Sequence, residues 1–452
     1  MPLQFVFGPS GSGKSHYLYQ HIIEESGKHP EQSYIVLVPE QFTMQTQKDL
    51  VSMHPNHGIM NIDVLSFGRL AYRVFEETGG GELPVLDDEG KNLILRKIAG
   101  DYESQLKVLR GNMKKLGYIS EVKSVISEFT QYDIGEEELE RVMERAGDGS
   151  RLYYKLRDIG ILYRGFQDYL EKKYITKEEL LDHLSRVAGK SELLQNSTIV
   201  LDGFTGFTPV QNRLLAELMK LARDVIVTVT IDDREDPYRY TDACQMFGMS
   251  KHTVTTLTRI ARACGVEQTE PVWLKKRPFY RFRKSEALAF LEEHLFRYSG
   301  RYYIGKPDTI AIHETRTPKE EAYAAAAQIR RLVREEGMRY REIGVVATDL
   351  NGYGDYLEEA FAKYRIPVFM DYKRSILLNS FVEYVRSILN MAEQSFTYES
   401  VFRFLRAGYG PFTDDEVDEL ENYCLALGIR GYKNWQQRWV RKGADVTEDE
   451  LE

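Results

Sequence analysis

The fold of this chain is decided by the sequence Leu3-Gln4-Phe5-Val6-Phe7-Gly8-Pro9-Ser10-Gly11-Ser12-Gly13-Lys14-Ser15. Its apolar first half predicts a buried strand, and its second half is Gly-x-x-x-x-Gly-Lys-Ser without a mismatch. Glycines in such a loop permit backbone dihedrals that turn successive N–H groups toward one phosphate. Residues 14–25 then predict a helix whose N-terminus also favours an anion. Strand, loop and helix together predict a P-loop.

A P-loop assigns a role to most of its residues. We expect Lys14 to reach the β- and γ-phosphates of a nucleoside triphosphate such as ATP, and the Ser15 hydroxyl to hold Mg²⁺. The alternative is a Gly/Ser-rich turn that only caps a helix, which the complete strand–loop–helix context disfavours. The predicted nucleotide-binding residues are Gly8, Pro9, Ser10, Gly11, Ser12, Gly13, Lys14 and Ser15.

Composition limits the class of protein. The chain has 452 residues, of which 42% are hydrophobic and 29% charged, as in globular proteins of several domains. Its formal net charge of −9 argues against indiscriminate coating of DNA, so any contact with nucleic acid must come from a local groove. The three cysteines lack metal-type spacing, which fits a reducing cytoplasm. No run is long enough to span a membrane, so we expect a cytoplasmic protein without a membrane partner.

Apolar runs that could form strands alternate with helical patterns after the P-loop. This alternation predicts an α/β fold with a doubly wound parallel sheet, in which ligands bind beyond the carboxyl ends of the strands. Asp202 ends one such run, where a carboxylate could organise Mg²⁺ together with Ser15. The predicted strands of this sheet cover residues 3–7, 34–38, 62–65, 198–202 and 225–231.

The pattern changes along the chain and predicts an order of domains. A charged, helix-patterned stretch interrupts the first α/β unit, and a second α/β unit follows it, with strands predicted over 308–313, 343–348 and 366–370. The predicted domains are the first part of a P-loop domain (1–82), a helical insertion (83–192), the second part of the P-loop domain (193–300), a second α/β domain (301–395) and the start of a further helical insertion (396–452).

Residues 273–284 combine aromatic and basic side chains in one short stretch. Such a mixture can hold a single nucleic-acid strand by stacking and by charge. It can equally be a solvated connector, since runs of charge are usually surface. The sequence leaves both interpretations open.

The ordered motifs resemble the N-terminal part of the AddB family, the B subunits of the bacterial ATP-dependent helicase/deoxyribonuclease AddAB. That resemblance implies a superfamily 1 helicase-like fold with two RecA-like P-loop domains and a helical insertion. The segments that carry it are the P-loop, Val38–Thr43, Ser66–Arg73, Asp202–Pro209 and Arg365–Asp371.

Two departures from a working helicase are visible within these motifs. Gly203 stands where a motor carries the glutamate that orients the attacking water. The Gly-Asp-x-x-Gln sensor expected after residues 225–231 is replaced by Asp232–Asp236. General-base assistance typically contributes about 10²–10⁴ in rate, so hydrolysis should be slow or absent even if ATP binds. We therefore expect no catalytic residue in this stretch, and a nucleotide-binding subunit that does not translocate.

The resemblance also implies binding of single-stranded and double-stranded DNA and pairing with the AddA subunit. Such a subunit would hold the 3′-terminated strand, recognise Chi, and process double-strand breaks for homologous recombination. An exonuclease domain with a 4Fe–4S cluster is expected only in the C-terminal part of full-length family members. The residues predicted to contact DNA are Gln41, Thr43, Phe67, Arg69, Tyr72, Phe204 and Phe207.

Two other classes of function remain open at the level of sequence. An active P-loop enzyme, such as a small-molecule kinase, could use the same loop, but the second α/β unit and the helical insertion have no place in it. A scaffold could retain Lys14 as a relic and only support a partner motor. Binding of ATP in the presence of Mg²⁺ separates the scaffold from the nucleotide-binding subunit.

Overall fold

The structure, a computed structural model, describes residues 2–79, 84–171, 173–307, 309–371 and 376–439. The chain divides into two compact units, Met1–Ala311 and Ile312–Glu452. The predicted domain boundary at residues 82 and 83, and the first residue of the strand predicted over 308–313, lie outside the described residues.

A parallel β-sheet forms the centre of the first unit. Seven strands of the described residues belong to it, in the order β3-β2-β6-β7-β1-β8, with β9 also paired to β1. All of these pairings are parallel, which confirms the predicted α/β class with a parallel sheet. The strands are β1 (Pro2–Gly8), β2 (Ser33–Leu37), β3 (Ile62–Leu65), β4 (Val85–Leu86), β5 (Ile175–Thr176), β6 (Ser197–Leu201), β7 (Asp224–Thr230), β8 (Glu267–Gln268) and β9 (Val272–Trp273).

Register aligns the carboxyl ends of the central strands. Gly8 at the end of β1 pairs with Thr230 at the end of β7, and Leu37 at the end of β2 pairs with both Leu65 and Leu201. Because ligands of parallel sheets bind at this edge, the loops that follow these strands form one candidate region. Strand β7 lies between the P-loop strand and β6, the strand that precedes Asp202.

Helices cover both faces of the sheet, as its continuous apolar strands require. Phe5 and Phe7 face a core shared with α3, α8, α10 and α11, whereas Val6 faces the opposite core, shared with α1 and α2. The helices of this unit are α1 (Lys14–Lys28), α2 (Thr43–Met53), α3 (Phe67–Thr78), α4 (Asp88–Asp101), α5 (Leu116–Gln131), α6 (Glu136–Ala146), α7 (Arg151–Leu170), α8 (Leu180–Val187), α9 (Glu192–Gln195), α10 (Pro209–Leu221), α11 (Gly248–Ala263) and α12 (Glu286–His294).

The predicted helical insertion contains its own apolar core. Side chains of α4, α5 and α7 form this core, and β4 pairs with β5 in a separate two-stranded parallel sheet. Helix α8 lies within the predicted range 83–192, yet its Leu180 and Leu184 are buried in the core of the main sheet. The chain therefore returns to the sheet before residue 192.

A buried carboxylate organises the loop inside this insertion. Asp158 of α7 has no exposed surface. Its two oxygens accept hydrogen bonds from the backbone N–H groups of Lys107, Val108 and Leu109 at 2.6–3.0 Å. Three consecutive backbone donors on one carboxylate account for the irregular path between α4 and α5, because buried N–H groups without partners are costly.

The second unit is helical in its described residues. The predicted helices that begin after Thr317 and near Asn379 are confirmed, and each of these two residues caps its helix. Helices α13 and α14 share a core with Ile366, and α16 and α17 share another. The helices are α13 (Pro318–Glu335), α14 (Leu350–Lys363), α15 (Ser380–Glu393), α16 (Tyr398–Leu405), α17 (Asp414–Leu427) and α18 (Tyr432–Trp435).

The three strands predicted in this region are wrong for the described residues 309–313, 343–348 and 366–370. These runs have the apolar composition of strands, but none pairs with a neighbouring strand in the described chain. Composition alone does not make a strand, because its backbone groups need a partner. Val346 and Phe369 remain 97% and 88% exposed.

Among the residues described, none of the helices combines the length and the apolar character that crossing a bilayer requires.

Replacing Asp158 by alanine should lower the free energy of unfolding by about 3 kcal/mol, because three buried N–H groups lose a charged acceptor. Amide hydrogen exchange at residues 107–109 should accelerate as well. Urea unfolding and exchange measured by mass spectrometry check both expectations. The matched control is Asp168→Ala, an exposed position on the same helix. An equal loss of stability in the control would contradict the role assigned to Asp158.

Candidate nucleotide and nucleic-acid sites

The loop between β1 and α1 has the backbone that its glycines predict. Gly11 and Gly13 have φ angles of +79° and +95°, which other residues rarely adopt. A Cβ on Gly8 would lie 2.5 Å from the Ser12 hydroxyl oxygen, so a larger residue would require Ser12 to move. Helix α1 begins at Lys14 without a side-chain cap in the described structure. Its first N–H groups are therefore oriented for an anion.

Lys14 lies inside this loop rather than in solvent. Its Nζ donates hydrogen bonds to the carbonyl oxygens of Gly8, at 2.9 Å, and Pro9, at 3.0 Å. Burial lowers the pKa of Lys14 to about 8, against the opposing effect of the Asp202 carboxylate. The Ser12 hydroxyl is buried without a hydrogen-bond partner among the described residues. A part-buried cation and a buried, unpaired donor in one loop fit a phosphate group.

Asp202 follows β6 and is 4% exposed. One carboxylate oxygen accepts a hydrogen bond from Thr228 at 2.6 Å, and the other accepts one from Tyr19 at 2.9 Å. Burial, together with this carboxylate, raises the pKa of Tyr19 well above its usual value, so its hydroxyl remains a donor.

A metal at this edge would arrive with the nucleotide. No group of three or more His, Cys, Asp or Glu side chains suited to a metal ion occurs among the described residues. Magnesium does not need such a cage, because it commonly binds substrate phosphates, water and one or two protein oxygens. The Ser15 hydroxyl and the Asp202 carboxylate are ligands of the type that fits this chemistry.

Gly203, which follows Asp202, has a φ angle of +79°. This left-handed conformation suits glycine and strains almost every other residue. The turn after β6 is therefore built on a glycine at this position.

A segment that covers the P-loop was not predicted from the sequence. Residues 279–283, the covering segment, follow β9, which pairs with β1. The Arg281 N–H donates to the carbonyl oxygen of Gly11 at 3.1 Å, and its guanidinium donates to the Ser10 hydroxyl at 3.2 Å. The Tyr280 ring lies parallel to that of His16, with 6.4 Å between centroids. The aromatic and basic composition of 273–284 was visible in the sequence, but its pairing with β1 was not.

Asp232, directly after β7, holds a cluster of arginines beside the covering segment. It is fully buried and accepts hydrogen bonds from Arg234 at 2.8 Å and from Arg297. Burial favours the neutral acid, but the hydrogen bonds from these two guanidiniums lower the pKa of Asp232 far below its usual value. Arg277, two residues before the covering segment, donates to Asp233 at 2.8 Å and lies 3.5 Å from Asp232.

A groove of about 410 Å³ lies where the loops after β2, β3 and β6 meet, and DNA contacts are predicted from the sequence in all three. Phe67 is only 7% exposed there, and its ring packs against Phe204 and Phe207 with centroids 5.4 Å and 6.3 Å away. Phe67 and Phe204 of this cluster line the groove, whereas Phe207 packs against them without lining it. The lining residues are Val38, Pro39, Glu40, Gln41, Ser66, Phe67, Gly68, Gly203, Phe204, Thr205, Gly206 and Gln211.

The other side chains predicted to contact DNA differ in their exposure. Gln41 is exposed at the groove. Thr43 is 3% exposed, and its hydroxyl donates to the carbonyl oxygen of Glu40 at 3.0 Å. Arg69 is half-exposed and lies 3.5 Å from the Glu40 carboxylate. Tyr72 is 51% exposed, one helical turn beyond Gly68 in α3.

Comparison with known proteins identifies the family. The family described as "ADDB, N-terminal" matches residues 5–292 of this chain. The chain belongs to the AddB family. It is 44% identical to the B subunit of the ATP-dependent helicase/deoxyribonuclease of Lachnoclostridium phytofermentans, covering 100% of this chain and 40% of that protein. The corresponding proteins of Clostridium novyi and Acetivibrio thermocellus are 33% and 34% identical, covering 99% and 95% of this chain. The chain spans about two fifths of the length of these relatives.

In this AddB-family chain, one edge of the sheet therefore carries two candidate sites. The P-loop, Asp202 and the covering segment form the first, and the groove forms the second. The AddB-type segment Arg365–Asp371 lies in the second unit, which is compact by itself.

The arginine cluster gives a test of how the covering segment is held. Replacing Asp232 by alanine should lower the free energy of unfolding by about 2 kcal/mol, since it leaves the partly buried guanidiniums of Arg277 and Arg297 without their acceptor. Hydrogen exchange at residues 277–283 should also increase. The control is Glu270→Ala, at an exposed carboxylate in the same unit. Unchanged exchange in the Asp232 variant would show that the covering segment is held by other contacts.

Proposed function

We propose that this region binds ATP with Mg²⁺ and holds single-stranded DNA, without acting as a motor, as part of an AddB-type subunit. The observation that carries the proposal is the meeting of Lys14, Asp202 and the groove at one edge of the parallel sheet. Each site is argued from its own residues below.

Nucleotide binding is supported by the chemistry of the loop. A part-buried ammonium, an unpaired hydroxyl and an uncapped helix N-terminus all favour a phosphate. Arg281 adds a second cation whose guanidinium already contacts the loop at Ser10. Tyr280, which is 69% exposed, offers an aromatic face beside the loop. Ser15 and Asp202 would hold Mg²⁺, which neutralises phosphate charge when it is bound.

Loss of motor activity is supported at two positions. Gly203 supplies no carboxylate to orient water, and its backbone is unsuited to glutamate. Asp232, in the region where a motor carries its glutamine sensor, is fully buried and engaged by arginines. Neither position offers a free polar group to a γ-phosphate.

Binding of a single strand is supported by the groove. The chain carries a net charge of −9, so affinity for DNA has to come from local stacking and hydrogen bonding rather than from the overall field. Gln41 can donate and accept at a base edge, and Tyr72 can stack on a base. Phe67 would not contact DNA directly but would pack against Phe204 and Phe207 and hold them in place. Arg69 would contact a phosphate of the DNA after its ion pair with Glu40 breaks.

The wider role is proposed from the family. The relatives are named as subunits of an ATP-dependent helicase/deoxyribonuclease. We propose that this chain acts with an AddA subunit in processing DNA ends for recombination, and that its groove contributes to Chi recognition. The nuclease and its 4Fe–4S cluster would belong to the remaining length of such proteins. Residues 301–395 would contribute to a second RecA-like domain.

Affinity for ATP should fall as pH rises, because Lys14 must be protonated to pair with phosphate. In the protein without nucleotide, Lys14 has a pKa of about 8, and a bound phosphate raises this pKa. Above about pH 8 the complex with ATP therefore binds more protons than the nucleotide-free protein, so binding weakens as pH rises. Between about pH 7 and pH 9 the dissociation constant should rise about tenfold. Calorimetry with Mg-ATP measures it.

Two variants serve as controls for this pH dependence. Lys14→Arg keeps its charge throughout the range and should show a flat profile. Lys14→Ala should bind at least tenfold more weakly at pH 7. Equal affinity of wild type and Lys14→Ala would exclude the P-loop as the ATP site, and rapid turnover of ATP would contradict the proposed loss of motor activity.

Removing the Tyr72 ring should weaken single-stranded DNA binding about fivefold or more, because one stacked base typically contributes about 1–3 kcal/mol. Gln41→Ala should weaken it to a smaller extent. Fluorescence anisotropy with a labelled oligonucleotide measures both. Tyr132→Ala, at a 57% exposed tyrosine of the helical insertion, is the matched control. Undiminished binding in Tyr72→Ala and Gln41→Ala would remove the groove from the DNA site.

A further inference from the structure

Four buried polar side chains form a continuous chain of hydrogen bonds beneath the sheet edge. Tyr19, Thr46, Asp202 and Thr228 are each no more than 6% exposed. The Tyr19 hydroxyl oxygen lies 2.9 Å from Asp202 Oδ2 and 3.2 Å from the Thr46 hydroxyl. Thr228 donates to the other oxygen of Asp202 at 2.6 Å.

The chemistry of these groups fixes the direction of each bond. An ionised carboxylate only accepts, so Tyr19 gives its single proton to Asp202. The bond between Tyr19 and Thr46 must then have Thr46 as its donor. Tyr19 thus contacts both Asp202 and Thr46. In a buried network, each hydrogen bond is stronger when the neighbouring bonds are also formed. The remaining hydrogen bonds weaken when one member changes its partner.

This chain of hydrogen bonds connects Asp202 of the first candidate site with Thr46 of α2, the helix that follows the wall of the groove. Asp202 precedes Gly203 and interacts electrostatically with Lys14 of the P-loop. Thr46 lies in the first turn of α2, and α2 continues from residues 40–42 on the wall of the groove. The Thr43 hydroxyl bonds to Glu40 and joins the start of α2 to that wall. A change in the partner of Asp202 is therefore transmitted through one hydroxyl to the helix that supports the groove.

We propose that Tyr19 is a positioning residue that couples occupancy of the nucleotide site to the grip of the groove on single-stranded DNA. The inference rests on the proposed function of both sites. Bound Mg-ATP competes with Tyr19 for the Asp202 carboxylate, which loosens the contact of Tyr19 with α2 and lowers affinity for DNA. By thermodynamic reciprocity, DNA lowers affinity for ATP by the same factor.

The test is a linkage cycle on the 452-residue chain. Anisotropy with a labelled mixed-sequence oligonucleotide gives DNA affinity with and without Mg-ATP, and calorimetry gives ATP affinity with and without the oligonucleotide. We expect a coupling factor of about five or more in the wild type, equal in both directions. Tyr19→Phe and Thr46→Val each remove one hydroxyl of the connection to α2. Both should bring the factor to about one, with DNA affinity in the absence of ATP lowered to the value that the wild type shows with Mg-ATP.

Matched variants separate positioning from packing. Thr46→Ser keeps the donor and should retain coupling, and Tyr17→Phe, at a 37% exposed tyrosine of α1, should leave it unchanged. If Tyr19→Phe folds and couples as the wild type does, the role of Tyr19 is overturned. If the wild type binds both ligands without coupling, the inference fails and the proposed function stands. If the wild type binds no ATP or no DNA, both the proposed function and the inference that rests on it are wrong.

Discussion

Parallel pairing of β1 with β7 is the interaction on which the rest of the structure depends. Their register runs from Leu3 with Val225 to Gly8 with Thr230, so the two strands end together. Strands β6, β2 and β3 continue the same alignment. Backbone hydrogen bonds thereby bring loops that are distant in sequence to one edge. Burial of Phe5 and Phe7 on one face and Val6 on the other keeps this register from slipping by one residue.

Two aspartates that follow neighbouring strands show how partners decide the behaviour of a buried carboxylate. Asp232 is bound by guanidiniums, and removing the acceptor of such partly buried donors typically costs about 2 kcal/mol. Asp202 is bound by two neutral hydroxyls, each typically contributing about 1 kcal/mol. The ion pairs of Asp232 hold the surrounding chain in place. Asp202 can exchange its two hydroxyl partners for a divalent cation at a modest cost in free energy.

The sequence predicted those parts of the fold that depend on local pattern. The helix after the glycine-rich loop and five strands of the sheet follow from spacing and residue type, and the structure has them. The short strands β8 and β9 were not predicted. The partner of a segment is not encoded locally. The sequence therefore showed the covering segment only as part of a basic and aromatic run, and did not predict that it packs on the P-loop. In the same way, residues 343–348 were predicted as a strand, although no strand of the described residues pairs with them.

The candidate sites divide in the same way. Gly8 to Ser15 were predicted because their motif is contiguous, whereas Tyr19 was not, because its importance arises only where α1, α2 and β6 meet. Phe67 was predicted to contact DNA and is found packed under Phe204. The sequence does not distinguish an aromatic residue that contacts a ligand from one that packs beneath the ligand-contacting side chain.

The positive φ angle of Gly203 also bears on how such a protein changes over evolutionary time. A single codon change that replaced this glycine would introduce a side chain in a main-chain conformation that L-residues rarely adopt. Most substitutions at position 203 would therefore need a change in the turn after β6 as well. The peptide backbone in this way limits which residues can occupy the position.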